Sequence, residues 1–140
     1  MIQRFAYLNI WEKLDNSAFT AVFNYALEIA KSESKDLTLI VNNVKQCSDF
    51  IDKFIDKTSS KKLQKGDVLS YKGVNISLKS PFSLKSHQNY GVFCAFHPSD
   101  KAISTMETTS EPLAIVVLGE HEDHLNTWIK NNNVQLLAQN

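Results

Sequence analysis

The sequence predicts an α/β domain: a mostly parallel sheet of about five strands, with a β-hairpin inserted and helices on both faces. Three observations predict it. The chain opens with a strand-helix-strand unit. Near-continuous apolar runs then recur at 92–96 and 113–118, separated by segments of helical period. Between these halves, two β-rich runs flank Lys72-Gly73, a pair suited to a tight turn.

Each element has its own signal. Residues Arg4 to Ile10 are short and rich in β-formers, which predicts a strand over 4–10. Asp15, Asn16 or Ser17 then offers a side-chain oxygen as a helix N-cap. Behind it Phe19, Val22, Phe23, Ala26 and Ile29 recur at helical spacing, predicting a helix near 16–31. Leu37 to Val41 reads as a strand covered on both faces. A second amphipathic helix carries Cys47, Phe50, Ile51, Phe54 and Ile55 on one face, and Thr58 to Lys62 reads as a polar connection. The hairpin follows at 68–71 and 74–78, and Ser80-Pro81 suits the start of a short helix. Val92 to Phe96 is a buried strand closed by His97-Pro98. Ser99 or Asp100 can cap a short helix with Ala102, Ile103 and Met106 inside. Leu113 to Leu118 is the most apolar strand. The final helix, near 121–131, turns Leu125, Trp128 and Ile129 inward and stops at Asn131 to Asn133. The aromatic residues Phe19, Phe23, Phe50, Phe54, Phe93, Phe96 and Trp128 all fall on inner faces, where packing accounts for them.

The 140 residues suit one core, so a single domain over 1–140 is expected. No apolar run approaches the ~20 residues that span a bilayer, and Met1 to Phe5 does not open a secretory leader. The cytoplasm is the expected location. Cys47 and Cys94 form no CxxC pair, which argues against a zinc site or a disulfide framework; Cys94 reads as a small core residue. Net charge is zero but segregated. Residues 50–90 carry eight lysines against three aspartates, and residues 100–140 carry two lysines against six acids.

This alternation resembles three-layer, Rossmann-like α/β domains as a class. A likeness at that level implies a location for a ligand site and no particular chemistry. In such sheets ligands bind beyond the carboxyl ends of the strands, near points where strand order reverses. The expected site loops are therefore Trp11 to Ser17, Asn42 to Lys45, His97 to Asp100 and Gly119 to His124. None holds GxGxxG or GxxxxGK[ST], so no dinucleotide or P-loop cradle is present and no cofactor is expected.

Within these loops the candidates differ in chemistry. Trp11, Asn42, Asn43 and His97 are candidate ligand-binding residues. Trp11 is placed to line a cleft, and the asparagines can hydrogen-bond a polar ligand or simply satisfy turns. His97, Asp100, Glu120 and His121 are the candidate acid/base groups. His121, Asp123 and His124 are the weak metal-ligand candidates, since imidazole and carboxylate together bind transition metals. Acids in a first helical turn also answer the helix dipole without further purpose. GEHEDH matches no HExxH pattern, and Ser99 lacks a Gly-x-Ser-x-Gly elbow.

The reading that follows is a small accessory domain that binds a partner protein or a small ligand without catalysis. Two alternatives stay open. One is a metal-assisted hydrolase, acting on phosphoesters through the strand-end His/Asp/Glu group. The other is nucleic-acid contact through the lysine-rich middle, against which stands the neutral overall charge. A homodimer is a further option for such a sheet. No membrane partner is expected.

Overall fold

A computed structural model describes residues 2–8, 16–41, 51, 52, 55–85, 88–96, 98, 100–109, 112–119 and 126–136. Seven strands and four helices make up the described elements. In chain order they are β1 (Gln3–Leu8), α1 (Asn16–Ser32), β2 (Leu37–Ile40), α2 (Lys57–Gln64), β3 (Leu69–Tyr71) and β4 (Val74–Lys79). Then come a 3-10 turn (Pro81–Ser83), β5 (Val92–Phe96), α3 (Asp100–Glu107), β6 (Ala114–Gly119), α4 (Asn126–Asn132) and β7 (Gln135–Leu136). The strands form one sheet in the order β3-β4-β2-β5-β6-β1-β7. All pairings are parallel except that of β3 with β4. The strands expected at 4–10, 37–41, 92–96 and 113–118 are β1, β2, β5 and β6, which stand side by side and parallel in the order β2-β5-β6-β1.

Alternation along these strands divides the interior into two cores. Phe5, Leu39, Cys94 and Val116 join one cluster with Phe19, Val22, Phe23 and Ala26 of α1 and Leu63 of α2. Their sequence neighbours Ala6, Ile40, Phe93, Ala95, Ile115 and Val117 join the other, with Ile103 and Met106 of α3 and Trp128 of α4. Successive strand side chains point to opposite faces, so α1 and α2 lie against one face and α3 and α4 against the other. This explains why β2, β5 and β6 read as unbroken apolar runs: every residue of each is buried. Phe23, Ile40, Phe93, Val116 and Trp128 are all buried as expected. Phe50 and Phe54 lie outside the described residues.

The sequence reading needs correction at three points. The sheet has seven strands where about five were expected. Two of them are the hairpin, which joins the sheet's edge as β3 and β4; the register Tyr71↔Val74 leaves Lys72 and Gly73 as a two-residue turn, at φ 51° and 85°. Both values are positive, as a type I′ turn demands. A further strand, β7, is made by two exposed residues whose partners Phe5 and Ala6 lie 130 positions back along the chain. Nothing local in Gln135-Leu136 signals it.

The third correction is Thr58 to Lys62, which is helix rather than connection. Asp56 stands at the N-cap in extended backbone and accepts from the Ser59 amide at 3.1 Å. At the other end Gly66, at φ 96°, donates its amide to Leu63 and Asp67 donates to Lys62, the pair of bonds that closes a Schellman motif. Only Ser60 and Leu63 of α2 are buried, so its apolar signal is too sparse to register by periodicity.

Candidate functional site

The carboxyl ends of β1, β2, β5 and β6 meet at one edge. Ile40 pairs with Ala95, Phe96 with Leu118, and Leu8 with Gly119. His97 thus directly follows β5, and Glu120 directly follows its neighbour β6. The strands that lead into all four expected loops end side by side. Trp11, Asn42, Asn43, His97, Glu120, His121, Asp123 and His124 themselves lie outside the described residues. Asp100 opens α3, its side chain outside the described set.

Connections fix where along this edge a ligand would enter. After β1 and β2 the chain crosses the face covered by α1 and α2; after β5 and β6 it crosses the face covered by α3 and α4. The crossover β1-α1-β2 runs toward the β3 edge, whereas β5-α3-β6 and β6-α4-β7 run toward the β7 edge. Opposite directions on opposite faces are what a uniform crossover handedness requires. Neighbouring strands whose following chains part to opposite faces leave a crevice between them. There are two such pairs: β2 beside β5, and β6 beside β1. In sequence, Asn42 and Asn43 follow β2 and His97 follows β5, while Trp11 follows β1 and residues 120–124 follow β6.

The described polar chemistry gathers near the opposite edge. Arg4 of β1 grips Glu107 of α3 with two bonds, Nε to Oε2 at 2.7 Å and Nη2 to Oε1 at 2.8 Å. Trp128 of α4 donates its indole N–H to the same Oε2 at 2.7 Å. Burial pushes the Glu107 carboxyl up, but the bonds from Arg4 and Trp128, with the Arg4 charge, outweigh this and hold it below its ordinary value. The Arg4 guanidinium is held up in turn, chiefly by its bond to Glu107. A cleft of about 540 Å³ beside Glu107 is lined by Lys35, Asn89, Thr109 and Pro112, residues that precede β2, β5 and β6. Another of about 510 Å³ lies between α3 and α4, against Ile103 and Trp128. Sequence reading missed this cluster because 103 positions separate Arg4 from Glu107. Both oxygens of the Glu107 carboxylate accept hydrogen bonds from within the protein, so the chemistry of this cluster is that of a clamp joining β1, α3 and α4.

Cys94 is fully buried, and burial pushes its thiol far above the ordinary range, which leaves it un-ionised and unreactive. Among the described residues no three His, Cys, Asp or Glu side chains gather to hold a metal ion. No described helix is long and apolar enough to cross a membrane. No protein-family model, curated protein or solved structure matches the chain.

Proposed function

We propose that this chain is an accessory, three-layer Rossmann-like domain that binds a small ligand at the carboxyl edge of its sheet and performs no chemistry on it. The observation that carries the reading is the strand order. Four adjacent parallel strands end side by side at one edge, and in two neighbouring pairs the following chains part to opposite faces, the arrangement at which sheets of this kind bind ligands. Those loops supply hydrogen-bonding and aromatic groups, Asn42, Asn43, His97 and Trp11, and the sequence sets no nucleophile–base signature among them. A cytoplasmic location accompanies this reading.

The test is a small-molecule screen by thermal shift, with hits mapped by backbone NMR. A ligand present at a hundred times its Kd raises stability by about 2.7 kcal/mol. Asn42→Ala, Trp11→Ala and His97→Ala should weaken such hits while leaving the free protein's stability unchanged. Hits that map to the amino edge and ignore these substitutions would overturn the site. Stoichiometric metal together with phosphoester hydrolysis, both lost in a His97→Ala/His121→Ala double variant, would replace binding by catalysis.

A further inference from the structure

The edge formed by β3 combines three properties that one kind of occupant satisfies together. β4 flanks it on one side and no described strand on the other. Tyr71 and Val74 flank the two-residue turn and so form a hydrogen-bonded pair. By alternation Ser70 directs its N–H and C=O groups away from β4, and Ser70 and Val68, the residue that leads into β3, are both exposed. Val68, at 65% exposure, is also one of two large apolar side chains left exposed among the described residues.

Charge is the third property. Between 57 and 85 the chain carries seven lysines and, as its one acid, Asp67. Four of the lysines stand on or just after α2, the helix that lies against β3 and β4. Lys57, Lys61, Lys62, Lys65 and Lys72 are all exposed. The ion pair between Arg4 and Glu107 uses none of them. Part of this has a local cause, because lysines in the last turn of α2 answer its dipole. Lys57 does not, since it stands at the positive end.

Lysines beside an edge strand discourage a second copy, which would set lysine against lysine. A phosphate backbone would satisfy the lysines but would use neither Val68 nor the outward Ser70 groups. We propose that β3 is a docking edge for an extended, acidic segment of a partner protein, which adds to the sheet as a further strand. Its backbone completes the Ser70 hydrogen bonds, an apolar side chain covers Val68, and its carboxylates meet the α2 lysines. This surface is separate from the carboxyl edge of the sheet and goes beyond the ligand reading.

The probe is a fluorescent peptide of about eight alternating valine and glutamate residues, within ordinary strand length. It should bind the full chain in fluorescence anisotropy, protect the Ser70 amide from hydrogen exchange, and bind more weakly as salt rises. Methylating the peptide's alternate amides should cost about tenfold in affinity, the worth of a lost backbone bond. Val68→Pro and Lys61→Glu/Lys65→Glu should do the same. The methylated peptide uses unaltered protein, so the test survives if a variant does not fold. No binding at millimolar peptide, or binding indifferent to methylation, overturns the proposal. So does a dimer in sedimentation that Val68→Pro abolishes, which would make a second copy the occupant, or displacement of the peptide by an oligothymidylate that binds more tightly.

Discussion

Replacing Trp128 separates what its ring contributes from what its N–H contributes. The side chain is 8% exposed and sits among Ala6, Ile103, Met106, Ile115 and Val117. A ring that buries about 150–250 Å², at ~25 cal/mol per Å², gains roughly 4–6 kcal/mol before any relaxation. Truncation to alanine is therefore expected to cost about 3–5 kcal/mol. Trp128→Phe keeps most of that area and removes the 2.7 Å bond to Glu107. Bonds to charged groups contribute about 1.5–3 kcal/mol. Glu107 retains part of its solvation, which places the expected cost of Trp128→Phe near the lower end, about 1.5–2 kcal/mol. Urea unfolding followed by circular dichroism measures both, with an unchanged m-value showing that only the native state was affected. Adding Glu107→Gln completes a double-mutant cycle, in which a coupling of about 1 kcal/mol is expected between groups in direct contact. If Trp128→Phe cost nothing while m stayed constant, the clamp would hold no energy and the argument from its geometry would fail.

Other substitutions read the same structure differently. Gly66 and Gly91 both lie at positive φ, but a Cβ at Gly66 would meet open space, whereas at Gly91 it would press on the Asp36 carbonyl. Gly66→Ala should cost about 1–2 kcal/mol from backbone conformation alone. Gly91→Ala should add a steric cost of about 1–3 kcal/mol, so equal losses in urea would refute the close approach. The Glu107 carboxyl is held low in the folded state, so its contribution is present above the ordinary carboxylate range and lost as pH falls through the folded value. The stability gap between wild type and Glu107→Gln should accordingly narrow as pH falls from neutrality through and below the ordinary carboxylate range; a gap constant with pH would remove the charge from the account. In a Cys47→Ser background, Cys94 should react with a thiol reagent only as fast as the protein opens, and rapid labelling of the folded chain would contradict its burial.

The elements that sequence reading recovered are those whose signal is local. Leu37 to Ile40, Val92 to Phe96 and Ala114 to Gly119 are buried on both sides, and such strands show continuous apolar runs. Lys72-Gly73 announces its turn by itself. By contrast α2 is held by its ends, Asp56 and Gly66, more than by an apolar face, and cap signals among many serines and lysines are easily read as a polar loop. β7 exists only because β1 offers an edge, and that relation spans nearly the whole sequence. The candidate site was legible as a location and no further. The topology brings four loops to one edge, while the character of each loop lies in side chains that no pattern of spacing ties to a reaction.

Strand order also dictates when the fold can close. β1 lies between β6 and β7, and Gln3 finds its partner in Ala114, 111 positions later. The middle strands β2, β4 and β5 instead pair within 37–96 and can associate first. During synthesis both edges of β1 at Phe5 and Ala6 must therefore stay unpaired until β6 and β7 have emerged. Closing a loop of that length carries an entropic cost before any contact compensates for it. β1 precedes the other described strands and is among the last of them to be secured, and a chain that stops short of β6 would leave it unpaired and open to misassociation.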